Sequence, residues 1–461
     1  MAKKWFYCSF VVCLMLAGPL FSADTLYVTT GDGHLLGIAG MTSGTHARGS
    51  GGDNTFADID WTGGVNGGAV GLNVVAAGPG IFDPNNPGQS NGTLVVAGSA
   101  DAALVVYDGT LATNKDVRII SSNDNPVTAL AIGDFGTLAG AVIAAHPHSS
   151  GSNMLVYKQD PAATGGPDPF LKFQPNPITL GPLGAVISDL VIGDTDPTRP
   201  GNEAMSSSNN VNTLEPTSGT ITRVLWDDGG FPLIELPQQN VNNFISALAL
   251  GDLFPGKNAD EIIQFGANET GANPTFNGDS AQAFTSPGSG VWDFKWFNTG
   301  DGDPNNGTGT DGTIADVNND PGLEAITVGD SKIIIVNADA AGTGARTLDI
   351  IDTGRTLTSV VVADVLGDDG VGEIVVGSSS GALLAYQHLI PSDLGSPFAL
   401  AATLLLDPQD DGTEYQITDI ATTGATALPC IPPVGDLNGD CVVNEVDFAI
   451  FASNWLVDTN I

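Results

Sequence analysis

Residues 358–387 read TSVVVADVLGDDGVGEIVVGSSSGALLAYQ. The stretch opens with an apolar segment, Thr358–Asp364, that ends in Ala-Asp. It continues with Glu373–Gln387, in which two apolar runs flank a Gly/Ser turn. Valine-rich runs of about four to six residues, separated by glycine and serine, are typical of β-strands joined by tight turns. The stretch therefore predicts consecutive strands.

Both segments recur along the chain, which indicates a repeat protein. The first segment returns about every 58 residues, with one shorter and one longer unit. Its copies, of which the first and the last are weak, are Val70–Ala76, Thr128–Asp134, Ser188–Asp194, Ser246–Asp252, Thr310–Asp316, Thr358–Asp364 and Asp419–Thr423. The second segment follows at a roughly fixed distance, at Thr93–Asp108, Ala141–Tyr157, Glu261–Phe265, Glu324–Val336 and Glu373–Gln387.

The two ends of this repeat region are complementary. Thr25–Ile38 resembles the second segment with no first segment before it, and Ile417–Gly424 resembles the first with no second after it. A ring that is closed by pairing of the N- and C-terminal strands produces this pattern. We therefore predict an all-β fold, a seven-bladed β-propeller, over residues 24–425. The competing all-β architecture, an open β-solenoid, has shorter repeats and needs no split unit.

The first 23 residues are typical of an export signal. Lys3 and Lys4 precede an uncharged apolar stretch, Trp5–Leu16, and small residues up to Ala23 offer a cleavage site. The alternative is a membrane anchor, but the apolar core is too short to span about 30 Å of hydrocarbon comfortably. We expect a secreted or cell-surface protein with no membrane span.

The composition is strongly acidic, with 52 Asp and Glu against 14 Lys and Arg and a formal net charge of −38. Such a chain repels phosphate backbones, so no nucleic acid partner is expected. Acidity fits divalent cations better, and it also confers solubility. Because 42% of the residues are hydrophobic and only 14% are charged, the chain can bury a core and is not a disordered acidic tail.

A calcium site is predicted in the loop that follows residue 315. Asp316, Asn318, Asp320 and Glu324 place oxygen side chains at positions one, three, five and nine of this loop, and Gly322 lets it curl. A hard cation takes about six to eight oxygen ligands, and alternate residues of a tight loop can supply them. The other interpretation is an acidic turn with this spacing by chance.

This loop and the strands around it resemble an FG-GAP/VCBS repeat, the blade of integrin-type propellers and of many secreted bacterial proteins. The resemblance covers roughly residues 25–425 and implies a calcium-binding propeller. It carries metal ligands over only to the loop at Asp316, because the other copies are degenerate. These begin at Asp134, Asp194, Asp252 and Asp364, and their aspartates are interpreted as turn caps. Asp301–Asn306 is a further acidic loop without a clean late ligand.

A second calcium site is predicted near the C-terminus, in a twelve-residue loop. Its ligands are Asp436, Asn438, Asp440, the Val442 carbonyl, Asn444 and Asp447. With prolines in place of an entering helix and an exiting helix at Phe448–Leu456, residues 435–461 resemble a dockerin type I repeat, after a linker at 426–434. Cys441 stands at the usual glycine position, and we predict a disulfide between Cys430 and Cys441. Because dockerins normally contain two such repeats, binding to a cohesin-like partner does not follow.

Catalytic residues are not identified by the sequence. His34, His46, His146, His148 and His388 form no recognisable motif, and His146-Pro147-His148 is interpreted as a loop. Trp61, Trp226, Trp292, Trp296 and Tyr386 could stack on sugar rings or pack between strands. We expect a non-catalytic, calcium-binding propeller that binds an extracellular polysaccharide or a surface protein. The alternative is a calcium-dependent polysaccharide hydrolase or lyase on the same fold.

Overall fold

A computed structural model describes most of the repeat region. The described residues are 24–46, 55–61, 70–80, 92–112, 114–120, 125–148, 151–160, 170–174, 177–180, 185–196, 198–199, 201–210, 219–226, 232–234, 239–241, 244–253, 260–267, 281–288, 291–298, 310–318, 322–338, 345–367, 372–389 and 397–423. The predicted export signal at 1–23 lies outside them. So do the linker at 426–434 and the dockerin-like segment at 435–461.

The regular elements of the described residues are all strands, and they contain no helix. In the first half of the chain the strands are β1 (Thr25–Thr30), β2 (His34–Ala39), β3 (Gly44–Thr45), β4 (Thr55–Asp60), β5 (Leu72–Gly80), β6 (Gly92–Ser99), β7 (Ala103–Asp108), β8 (Asn114–Ile119), β9 (Ala129–Phe135), β10 (Leu138–His148), β11 (Gly151–Gln159), β12 (Leu171–Phe173), β13 (Ile178–Leu180), β14 (Ala185–Gly193), β15 (Glu203–Asn210) and β16 (Gly219–Trp226).

The second half continues in the same manner. Its strands are β17 (Pro232–Ile234), β18 (Gln239–Val241), β19 (Phe244–Gly251), β20 (Glu261–Ala267), β21 (Ala281–Gly288), β22 (Val291–Asn298), β23 (Asp311–Ala315), β24 (Glu324–Gly329), β25 (Lys332–Ala338), β26 (Ala345–Asp352), β27 (Leu357–Ala363), β28 (Glu373–Ser378), β29 (Ala382–His388), β30 (Phe398–Leu405) and β31 (Ile417–Thr423). No helix of the described residues is long and apolar enough to cross a membrane.

These strands form seven sheets whose main paths are antiparallel meanders. In order of connection they are β5-β6-β7-β8, β9-β10-β11-β12, β14-β15-β16-β17, β19-β20-β21-β22, β23-β24-β25-β26, β27-β28-β29-β30 and β31-β1-β2-β4. Three short strands complete them: β13 pairs with β11, β18 pairs with β16, and β3 pairs with β30 in parallel. The copies of the first segment lie on the first strand of each sheet. The copies of the second segment lie on the second and third strands, except Glu261–Phe265, which lies on the second strand alone.

The sheets are arranged in a closed ring. The first strand of each sheet contacts the first strand of the next, from β5 through β9, β14, β19, β23 and β27 to β31, which contacts β5 again. The last sheet joins the two ends of the repeat region, because β31 pairs with β1 with Leu26 opposite Thr422 and Val28 opposite Ile420. The prediction of an all-β propeller is confirmed, and the paired terminal strands are those that the sequence indicated.

The core lies between neighbouring sheets, so the middle strands are buried on both faces. All six residues of β24 and all six of β28 are buried. Val328 of β24 packs in one cluster with Val376 of β28, and Val375 on the other face of β28 packs with Leu26 of β1. Each such aliphatic side chain contributes about 1.5–3 kcal/mol on burial. Two-sided burial explains why these strands are apolar without alternation.

Candidate functional site

The predicted calcium loop at Asp316 begins where β23 ends, and Asp316, Asn318 and Glu324 lie together there. The Val317 N–H donates to Glu324 Oε2 over 3.2 Å, and Asn318 Nδ2 donates to Glu324 Oε1 over 3.0 Å. Asp320 lies outside the described residues, and these contain no group of three or more His, Cys, Asp or Glu side chains suited to hold a metal. Calcium at this loop stays a prediction.

The position of Glu324 recurs in three other sheets, where a buried glutamate opens the second strand. Glu203, Glu261 and Glu373 are each at most 2% exposed. Their carboxylates hold the preceding loop by accepting backbone N–H groups. Oε2 of Glu203 accepts the N–H of Thr195 over 2.9 Å and that of Asp196 over 3.1 Å. Oε2 of Glu261 accepts the N–H of Leu253 over 2.9 Å. Oε2 of Glu373 accepts the N–H of Val365 over 2.9 Å and that of Leu366 over 3.1 Å. The acidic residue that opens the second sequence segment therefore anchors a loop.

The loop after β14 contains a cation of its own, the guanidinium of Arg223. Arg223 is 1% exposed, and its Nη2 donates to the Thr195 carbonyl over 3.1 Å. Its Nη1 lies 3.7 Å from Oδ2 of Asp196, a residue that is fully buried. Arg199 approaches the same oxygen to 3.3 Å from the exposed side. A loop that the sequence indicated as a degenerate calcium loop is thus neutralised by arginine.

Three aspartates lie on the first strands, which in a propeller surround a central channel, and we call them the channel aspartates. Asp189, Asp311 and Asp419 occupy equivalent positions in β14, β23 and β31, and each follows a Ser or Thr. In β14 and β31 the pairing register shifts at this hydroxyl residue. It shifts at the equivalent residue in β19, β27 and β5, which is Ser246, Thr358 and Asn73 respectively. The three side chains keep some exposed surface although strands flank them on both sides, as expected for residues that line a channel.

Each of these aspartates links its own strand to the next strand of the ring. One oxygen accepts the N–H of the following residue, and the other accepts the equivalent N–H of the neighbouring first strand. Asp189 accepts the N–H groups of Leu190 and Leu248, both over 2.7 Å. Asp311 accepts those of Gly312 over 2.7 Å and Val360 over 2.8 Å. Asp419 accepts those of Ile420 over 2.8 Å and Val75 over 2.9 Å. Three carboxylates thereby satisfy six backbone donors that point away from the sheet ladders.

Burial changes the protonation of the channel aspartates. Loss of solvent raises the pKa of Asp189 well above its ordinary value, and the charges of Asp311 and Asp419 raise it further. Burial also raises the pKa of Asp311, and burial together with the charge of Asp311 raises that of Asp419 to about 7. The backbone N–H groups that donate to these carboxylates lower their pKa values, but not enough to cancel the rise.

A second polar cluster lies at the closure of the ring and joins three stretches of the chain. Asp58 of β4 is its centre. Nδ1 of His34 lies 2.7 Å from Asp58 Oδ1, and Nε2 of His46 lies 3.1 Å from Oδ2. The Tyr415 hydroxyl, which precedes β31, donates to Oδ2 over 2.9 Å. Both imidazoles and the tyrosine are at most 3% exposed. Burial would raise the pKa of Asp58, but these three partners hold it well below its usual range.

The structure places the remaining sequence candidates as follows. The interpretation of His146-Pro147-His148 as a loop is wrong, because these residues form the end of strand β10 and pair with β11. Nδ1 of His146 lies 2.8 Å from the Pro147 carbonyl oxygen, and burial lowers the pKa of His146. Trp61 and Tyr386 are buried in core clusters. Trp226 packs against Phe135 with ring centroids 5.7 Å apart. These three aromatic residues therefore pack between strands, one of the two roles that the sequence left open.

Three sets of predicted residues belong to parts of the chain that the structure does not describe. The C-terminal calcium ligands Asp436, Asn438, Asp440, Val442, Asn444 and Asp447 lie outside the described residues, as do Cys430, Cys441 and the loop at Asp301. Conversely, the sequence did not indicate the Asp58 cluster or the channel aspartates. The only signal for the latter is the Ser/Thr-Asp pair that opens three of the first segments.

No family model and no curated protein matches the chain. Among solved structures, a functionally unknown protein from Desulfotomaculum acetoxidans is similar over 83% of this chain and 99% of its own, with 12% identity and a TM-score of 0.49. Sqt1 of Saccharomyces cerevisiae is similar over 83% of this chain and 81% of its own, with 11% identity and a TM-score of 0.48. These likenesses assign no activity.

Proposed function

We propose that the protein is a secreted, seven-bladed, calcium-binding propeller that acts as a non-catalytic binding or scaffold protein for an extracellular glycan or protein. Each of the seven sheets is one blade. In this proposal the blades are FG-GAP/VCBS-like, and the dockerin-like segment tethers the propeller to a larger assembly.

One observation carries the non-catalytic reading. The four buried glutamates and the three channel aspartates all accept hydrogen bonds from backbone N–H groups. They are Glu203, Glu261, Glu324 and Glu373 in the loops and Asp189, Asp311 and Asp419 around the channel. Groups used in this way hold loops and strands in fixed positions. Fixed loops on a rigid ring are suited to recognition, since less conformational entropy is lost on binding.

Calcium is tested by metal counting. We expect the purified protein, dialysed against calcium-free buffer, to retain calcium, and Asp316→Ala and Asp436→Ala each to remove one ion per chain. Each substitution deletes the first ligand of a loop whose other oxygens are too few to hold a hard cation tightly. The measurement is elemental analysis of equal protein amounts.

Asp252→Ala is the matched control, because Asp252 also ends a first segment but is followed by Leu-Phe-Pro-Gly-Lys rather than by ligand residues. It should leave the calcium content unchanged. Full calcium retention by Asp316→Ala would show that the loop after β23 is an acidic turn, and the same result with Asp436→Ala would remove the C-terminal site.

The binding function is tested with a panel of soluble and insoluble polysaccharides. Protein from residue 24 onward is mixed with each glycan in calcium or in chelator, and both retention and released reducing sugar are measured. We expect retention that chelator weakens, without release of sugar. Release that depends on calcium would establish the enzyme instead, and neither retention nor release would direct the search to protein partners of the C-terminal segment.

The rival function, a calcium-dependent polysaccharide hydrolase or lyase, is favoured by one feature. Asp419 has a pKa of about 7 and lies beside Asp311 in the channel, so the pair can hold one protonated and one ionised carboxyl at neutral pH. General acid and base catalysis requires such a pair. If sugar is released, Asp419→Asn and Asp311→Asn should abolish the release while retention persists.

A further inference from the structure

Ser359 stands between two of the channel aspartates. Its hydroxyl oxygen lies 2.9 Å from Asp311 Oδ2 and 3.1 Å from Asp419 Oδ1. The same oxygen accepts the N–H of Ile420 over 3.2 Å. A serine hydroxyl has one hydrogen to donate, so it can satisfy only one of the two carboxylate oxygens. The other oxygen then faces a lone pair unless it carries a proton.

Each of these two carboxylate oxygens also accepts a backbone N–H group. Asp311 Oδ2 also accepts the Val360 N–H at 2.8 Å, and Asp419 Oδ1 also accepts the Ile420 N–H at 2.8 Å. These backbone donors fix both carboxyl groups against Ser359. We propose that Asp311, Ser359 and Asp419 form a hydrogen-bonded chain that shares one proton, and that loss of this proton near neutral pH adds a negative charge to the channel.

Within the described part of the protein, no Lys, Arg or His is among the main influences on the pKa of Asp311 or Asp419. The charge of Asp311 raises the pKa of Asp419 across the intervening strand β27, and both charges raise the pKa of Asp189 on β14. At the equivalent positions β5, β9 and β19 carry Val74, Ala129 and Ala247. A second ionised carboxyl at this level is therefore unfavourable, which agrees with the rise of the Asp419 pKa from 3.8 to about 7.

The sign of the pH effect follows from the raised pKa. Below pH 3.8 Asp419 is protonated in both the folded and the unfolded chain, so its contribution to stability is fully present. Between pH 3.8 and about 7 the folded chain keeps a proton that the unfolded chain releases. This contribution to stability is therefore lost as the pH rises through this window, where the unfolding constant increases by up to about tenfold per pH unit. Above about pH 7 the contribution no longer changes with pH.

The test compares Asp419→Asn with the unsubstituted protein by urea unfolding from pH 4 to pH 9. Asparagine cannot titrate, so the ratio of the two unfolding constants should change in favour of the variant by up to about tenfold per pH unit up to pH 7 and then level off. Asp411→Asn, which removes an equal charge from an exposed turn before β31, should give a flat ratio. A flat ratio for Asp419→Asn as well would overturn the shared proton.

Infrared spectroscopy gives a readout that needs no unfolding. The absorption of a protonated carboxyl should be present in the unsubstituted protein at pH 6, decline by pH 8, and be reduced in Asp419→Asn and in Asp311→Asn but not in Asp411→Asn. If a channel variant fails to fold, the unsubstituted protein still decides the question. A carboxyl absorption that does not change between pH 6 and pH 8 would contradict the proposal.

Discussion

Replacing Arg223 with methionine is expected to lower the free energy of unfolding by about 3–5 kcal/mol. Methionine fills a similar volume but removes the guanidinium that faces Asp196 and donates to the Thr195 carbonyl. Asp196 is fully buried, and its carboxylate would keep the Thr198 donors and the partly exposed Arg199 but lose the buried guanidinium beside it. Urea or thermal unfolding at pH 7 measures the loss.

Arg199→Met is the matched control, since Arg199 contacts the same Asp196 oxygen from a side chain that is 41% exposed. Solvent screens this pair, and we expect its loss to cost no more than about 1 kcal/mol. Equal destabilisation by the two substitutions would mean that burial does not set the strength of the interaction. A stable Arg223→Met variant that gains one bound calcium would show that a metal ion can take the place of the guanidinium.

Replacing Asp58 with asparagine is expected to cost about 3 kcal/mol at pH 7, because each hydrogen bond to a charged group contributes about 1.5–3 kcal/mol and asparagine turns a donor toward one of the three partners. The pKa of Asp58 is lowered in the folded chain, so the stability it provides is present above its ordinary value of 3.8 and is lost as the pH falls below it. The difference between variant and unsubstituted protein should therefore shrink below about pH 4.

Asp60→Asn is the control for this experiment, because Asp60 is an exposed residue of the same strand. Unfolding midpoints for both variants at pH 7 and at pH 3 complete the comparison. If Asp58→Asn were no more destabilising than Asp60→Asn at pH 7, the cluster of His34, His46 and Tyr415 would not depend on a carboxylate at its centre.

The fold was predictable because its determinants are local and repeated. The alternation of strands and glycine turns recurs in each unit, and the half-units at Thr25–Ile38 and Ile417–Gly424 reveal the closure that β1 and β31 make. Strands that are buried on both faces between sheets require apolar runs, and such runs are evident in the sequence. The same regularity located the glutamates that open β20, β24 and β28, although not their role as anchors of the loops, and it did not locate Glu203 of β15.

The site residues were not predictable for the opposite reason. In the sequence, Asp58 is 24 residues from His34 and 12 residues from His46, but it is 357 residues from Tyr415. No motif of fixed spacing can therefore contain the cluster. Arg223 belongs to β16 but neutralises the loop that follows β14. Ser359 of β27 contacts Asp311 of β23 and Asp419 of β31, which belong to the two sheets that flank its own. These relations depend on which strands become adjacent in the ring, and only the three-dimensional structure supplies that information.

The pairing of β1 with β31 also has a consequence for how the chain folds. Thr29 and Asp419 are 390 residues apart, so this contact forms only after nearly the whole repeat region is available. Until then one edge of β1 has unpaired backbone groups, and such an edge is a template for association with other chains. Contacts of this sequence separation also slow folding. We expect forms that end before residue 417 to aggregate rather than to fold as a shortened ring.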